Sequence, residues 1–156
     1  MWWIPIIAVS ISPITAWPYE KLFGEANLII IGRPVSVRDA KPDEKLEPPA
    51  AFLAGVVTVF HIDHVVKGDH QKSELELVHF RVRNGAQAPR ENAPMLVQFV
   101  AKPVKPRAVA DCLPGLLDEP QYLMFLKKTN DGRWECVSGQ INPKLSVKQL
   151  VSLPFE

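Results

Sequence analysis

No charge of one sign dominates this chain: 18 lysines and arginines stand against 17 aspartates and glutamates in 156 residues, a formal net charge of +1. Such a balance supplies no long-range field, which argues against a dedicated nucleic-acid binder or a polybasic membrane binder. Cysteine is scarce, with Cys112 and Cys136 alone, and no Cys-x-x-Cys spacing offers a metal or redox site. The sequence has no G-x-S-x-G elbow, no H-E-x-x-H and no phosphate-binding glycine loop. Nucleophilic catalysis therefore has no legible site, and no cofactor is expected. Long apolar runs are missing too. The uncharged stretch Met1–Ala16 falls short of the about 20 apolar residues that a bilayer span needs.

What the chain does have is a hydrophobic content of 47%, enough for one domain with a real core and too high for a disordered chain. It also has 15 prolines. Proline cannot donate to a sheet ladder, so its positions outline the strands. None falls between Pro49 and Pro89 or between Pro120 and Pro143, the two stretches that read as hairpins.

Residues 1–16 fit a secretory signal, with an apolar segment, the helix-breaking Pro13, and Ile14-Thr15-Ala16 before a cleavage point. The segment carries no Lys or Arg, so the alternative is a buried first strand. Export leaves a domain over 17–156, secreted or periplasmic, with no stable membrane span. An exported chain with two cysteines favours a Cys112–Cys136 disulfide. Closing that loop of about 25 residues would stabilise the fold by roughly 3.5 kcal/mol in the chain-entropy description.

Tyr19, Leu22, Phe23 and Ala26 share one helical face behind Pro18, so a short amphipathic helix is expected. Tyr19 and Phe23 are expected to cover an open end of the fold, leaving Trp17 free. Residues 27–38 read as a β-branched strand, bent at Gly32 and Pro34. Residues 38–49 are charged and proline-rich, a solvated loop. Ala54–Val66 and Glu74–Val82 form the clearest hairpin. A turn centred near His70 sets Phe60 opposite Phe80, Ile62 opposite Val78, and His61 opposite His79. Met95–Val100 reads as a further strand. The sequences 122–127 and 133–138 flank Asn130-Asp131-Gly132, a hairpin signal. Ser146–Gln149 matches a capping box, predicting a closing helix.

Five or six strands with little helix predict a mainly β fold: a five- to six-stranded OB-type Greek-key barrel with short flanking helices. The runs 26–35, 57–68 ending in Lys67-Gly68, and 122–126 resemble the netrin-like domains. These include the amino-terminal domains of the tissue inhibitors of metalloproteinases and many exported bacterial proteins. The likeness covers about residues 20–140 and implies an OB-type barrel. Those inhibitors chelate the protease zinc through an amino-terminal cysteine. Here the expected mature end is Trp17-Pro18-Tyr19, so inhibition does not carry over.

The four histidines lie between positions 61 and 79. The cross-strand pair His61 and His79, with Asp63 on the same face, would suit zinc or another divalent ion, and a metal-assisted hydrolase would use those three. The plainer reading is a polar outer sheet face. Lys102, Lys105 and Arg107 punctuate a proline-rich loop that could contact a partner. The expectation is thus an exported, non-catalytic binding module whose partner is a protein or small ligand, with contacts on the loops 38–49 and 101–120. Nucleic acid is not expected.

Overall fold

The computed structural model describes residues 16–89, 93–101 and 120–150. Its elements in chain order are α1 (Tyr19–Glu25), β1 (Leu28–Asp39), β2 (Leu53–Lys67), β3 (Glu74–Val82), β4 (Gln121–Lys128), β5 (Trp134–Cys136) and β6 (Val147–Leu150). The strands follow the order β1-β2-β3-β5-β4, and β1 pairs back onto β4 to close a five-stranded barrel. All pairings are antiparallel except β3 with β5, which meet in parallel at Leu77 and Trp134. This is the expected mainly β, OB-type Greek-key barrel. The sixth strand, β6, runs beside β4 beyond the end of β5.

β1 must pair with both β2 and β4, and it does so by bending. Its register against β2 shifts at Ile29/Ile30, Ile31/Gly32 and Pro34/Ser36. A β carbon on Gly32 would stand 2.7 Å from the His61 carbonyl oxygen, so only glycine lets the strands approach there. Pro34, lacking an N–H, sits beside the last of these irregularities. The Lys67-Gly68 turn has a similar cause. Gly68 has φ +89°, and a β carbon there would lie 2.4 Å from the Asn27 carbonyl oxygen.

The β2–β3 hairpin forms over the expected residues, but its register differs by an odd number. Phe60 meets Leu75 rather than Phe80, Val57 meets Val78, His61 meets Glu74, and His79 meets Val56. β3 begins opposite His61, short of the end of β2, while β1 pairs the other edge of β2 as far as Lys67. The bond Ile62 N–H to Ser73 O, 2.8 Å, closes the hairpin there. An odd shift exchanges faces. Leu75, Leu77 and His79 consequently point into the barrel with Phe60, while Val78 and Phe80 point outward and are still buried.

The interior cluster contains Leu28, Ile30, Phe60, Leu77, Met124 and Leu126. Each such side chain contributes about 1.5–3 kcal/mol by leaving water. A second cluster lies outside the wall, where Leu22 of α1 and Ala26 just after it cover Ile29, Phe125 and Val137. Tyr19 and Phe23 do not seal a barrel end, being 57% and 50% exposed, whereas Trp17 packs onto this second cluster. Leu22 and Ala26 take the inner line of the helix, which leaves the two aromatics on its flank.

Two further expectations fail. Residues 95–100 form no strand, although Phe99 is buried in the interior. Residues 147–150 are strand β6, not a helix. The Ser146 hydroxyl does not cap a helix: it accepts from the Ser138 N–H at 2.8 Å and donates to Ser138 Oγ at 2.6 Å. Among the described residues no helix is long and apolar enough to cross a membrane.

Candidate functional site

Between β1 and β2 the chain crosses the outer face of the β2–β3 hairpin as a strap, residues 40–52. It is solvent-accessible as expected, none of residues 40–52 being buried, but it is also held in place. Ala40 N–H bonds the Gly55 carbonyl at 2.9 Å, and a 3₁₀ turn over Pro42–Glu44 follows. Lys45 then takes φ 48°, left-handed, the one such non-glycine among the described residues. That geometry costs about 1–2 kcal/mol and is held by the contacts around it. The strap lies close on the sheet. A β carbon on Gly55 would stand 3.1 Å from the Ala40 β carbon and 3.2 Å from that of Leu46.

Glu44 is the fastening point. Its carboxylate accepts two bonds from the Arg38 guanidinium, at 2.7 and 2.9 Å, and one from the Lys41 N–H at 2.6 Å. The Arg38 fork, with the Lys41 amide second, holds the Glu44 carboxyl down at about 2. The Glu44 carbonyl accepts from Arg133 Nη1 at 2.7 Å, so the strap is tied to the β4–β5 turn.

That turn is itself fixed. Thr129 N–H bonds Arg133 O at 2.8 Å, Gly132 has φ +85°, and Arg133 Nε donates to Asp131 Oδ2 at 2.7 Å. The Arg133 fork, with help from the Thr129 hydroxyl, holds the Asp131 carboxyl well below the usual range. The Asn-Asp-Gly signal located this turn, but nothing in the sequence indicated that Arg133 and Glu44 would meet.

A groove of ≈ 440 Å³ lies between strap and turn, with Leu46 and Val78 as its apolar lining and Lys45, Glu47, Asn130 and Gln140 as its polar one. Arg133 also borders a second hollow of ≈ 400 Å³ beside Trp134, His70 and Lys72. The His70 ring meets Trp134 near its edge, centroids 6.2 Å apart, and Lys128 Nζ lies 5.8 Å above the indole. The surface is concave, fixed, of mixed charge, and part aromatic, which suits recognition more than bond-breaking.

The expected metal constellation does not assemble. His61 is half-buried on the outer face opposite Glu74. His79 is inside the barrel, with Nε2 2.8 Å from Thr58 Oγ1. Asp63 is held by Arg33 and Gln121. The odd register separates the two imidazoles by a sheet thickness, and among the described residues no group of three or more ligating side chains could hold a metal ion. Burial lowers His79 to about 4, which keeps it neutral.

The expected Cys112–Cys136 bridge is not formed at its Cys136 end. Cys136 is a free, buried thiol whose pKa burial pushes up to about 12, with Glu135 adding to the shift. Cys112, Lys102, Lys105 and Arg107 lie outside the described residues, as does most of the 101–120 loop. No protein family, curated protein or solved structure matches this chain.

Proposed function

We propose that the protein is an exported, non-catalytic binding module that recognises its partner in the groove between the strap and the β4–β5 turn. The carrying observation is the Arg38–Glu44–Arg133 linkage, which joins two loops on one side of a closed barrel. Loops held before binding lose little freedom on complex formation, so the ligand keeps more of the interaction energy. The groove offers no nucleophile–base pair and no aligned carboxylates, and it offers amides, charges of both signs and an apolar floor. Such a lining fits an extended polypeptide better than a single reactive group. Export is supported by the uncharged run before Glu20, and netrin-like kinship by the strand patterns of 26–35, 57–68 and 122–126.

Site-specific photocrosslinking tests the groove. A benzophenone side chain at Asn130 or Gln140 of the full chain, expressed in its host, is expected to give one shared adduct. A probe at Glu20 on α1 should not give it, and Arg133→Ala, which removes the bond to the Glu44 carbonyl and so unlinks strap and turn, should abolish it. An equal adduct from position 20, or none from 130 and 140, overturns the reading. Mass spectrometry of the recovered protein tests export separately: a chain beginning at Trp17 supports it, and an intact Met1 overturns it.

A further inference from the structure

The aromatic interior of the barrel is stoppered by a segment that belongs to no strand. Phe99, on residues 93–101, is buried with its ring nearly perpendicular to three others: Phe60 at 4.9 Å, Tyr122 at 5.1 Å and His79 at 5.3 Å between centroids. Its hydrogen bonds are few. Among the described residues the segment makes two, both at Met95: its N–H to Asn142 Oδ1, 3.1 Å, and its carbonyl from Lys144 N–H, 3.2 Å. Val97 packs partly on the core, and Val100 is exposed. A segment without a ladder, fixed among the described residues by the Phe99 ring, the part-buried Val97 and two hydrogen bonds, opens at a lower free energy than the strands around it.

The ring rests on a titratable group. His79 is 2% exposed; one ring nitrogen meets Thr58, and the other, Nδ1, is buried with no hydrogen-bond partner among the described residues. A neutral imidazole accommodates this as a bare acceptor, but an imidazolium carries N–H on both nitrogens and would bury an unsatisfied charged donor. The Phe80 backbone favours that charge in part, but burial outweighs it, and among the described residues no carboxylate stands by to offset it. β2 presents Val56 and Thr58, and β4 presents only the Tyr122 phenol, across Phe99. Residues 93–101 contain no acidic side chain. On β3 itself the nearest charge on this face is Arg81, which is paired with Asp39.

We propose that residues 93–101 are an acid-released plug: protonation of His79 drives Phe99 out of the barrel and exposes the aromatic interior while the strands stay paired. Water reaching His79 returns the imidazole to its ordinary affinity for protons, so acid favours the open form. With a closed-state value of about 4 against 6.5, the opening constant rises up to about 300-fold as pH falls across that interval. The inference concerns the barrel interior and stands apart from the groove.

Hydrogen exchange of the full chain at pH 7 and pH 4.5, corrected for intrinsic rates, tests it. Peptides from 93–101 should lose protection at pH 4.5 while peptides from 53–67 and 74–82 keep theirs, with a matching rise in binding of an anilinonaphthalene dye. His79→Gln, which can still bond Thr58, should stay closed. The wild-type His79 ring proton, followed by NMR, should titrate with the midpoint of plug exchange whether or not the variant folds. Unchanged protection at 93–101, simultaneous loss in the strands, acid opening in His79→Gln, or a separate His79 midpoint overturns the proposal.

Discussion

Arg33 grips Asp63 across the irregular pairing of β1 with β2: Nε lies 3.1 and 3.0 Å from the two carboxylate oxygens, and Nη2 lies 2.8 Å from Oδ1. Gln121 Nε2, from β4, donates to the same carboxylate at 3.1 Å. Three strands are thereby joined where the barrel wall bends. Both ionic side chains are mostly buried, at 23% and 15% exposure, so water replaces these bonds poorly if one partner is lost.

Asp63→Ala should therefore destabilise the fold by about 1–3 kcal/mol, seen as a lower urea midpoint with an unchanged slope. The same carboxylate is committed to structure and not to a metal. Zinc added to the wild type and to His61→Ala should shift the melting temperature equally. A shift confined to the wild type would restore a metal role for His61.

The strap is held against the sheet by the space at Gly55. Gly55→Val would force the Ala40 and Leu46 β carbons away, both attached to strap backbone, at about 1–3 kcal/mol. The Ala40 amide, bonded to the Gly55 carbonyl, should then exchange faster. Gly24 in α1 is the contrast, since a β carbon there meets nothing within 4 Å. Gly24→Ala should raise stability by about 0.5–1 kcal/mol through helix propensity. Equal effects at the two glycines would show that Gly55 is not a packing position.

Cys136 is a core residue, and its thiol should behave as one. In the reduced native protein iodoacetamide should leave it unmodified, because a pKa near 12 and full burial deny it both thiolate and access. Denaturant should release it at once. Rapid native labelling, read by peptide mapping, would contradict the closed wall between β4 and β5.

Much of the barrel is legible in the sequence because its signals are local. The bend at Gly32 and Pro34, the Lys67-Gly68 turn, the β-branched runs and the Asn130-Asp131-Gly132 hairpin each depend on a few adjacent residues. The hairpin register was not legible, because the connection is longer than a tight turn: it runs from Ile62 to Ser73 and is closed by the Ile62 N–H to Ser73 O bond. That register places His79 inside and dissolves the metal constellation. The strap escaped notice for a similar reason. Its charges alternate as a solvated loop would, and only the fold brings Arg133 to the Glu44 carbonyl. Phe99 shows the converse: the apolar run 95–100 does mark a buried residue, but among the described residues the segment pairs with no strand.

His79 makes global stability depend on pH in a direction that can be worked out. Its folded value, about 4, lies below the ordinary 6.5 expected of the unfolded chain, because burial penalises the imidazolium. Above pH 6.5 neither state binds the proton and the stability is full. As pH falls from 6.5 towards 4, the unfolded chain takes up the proton and the closed native chain does not, so stability is lost through that window and levels below it. At about 1.4 kcal/mol per unit, the total is roughly 3 kcal/mol. Urea unfolding at pH 7 and pH 4 should show this difference in the wild type. His79→Gln, whose side chain does not titrate, should lose less by about that amount. Equal losses in the two proteins would mean that other groups, and not His79, govern the acid limb.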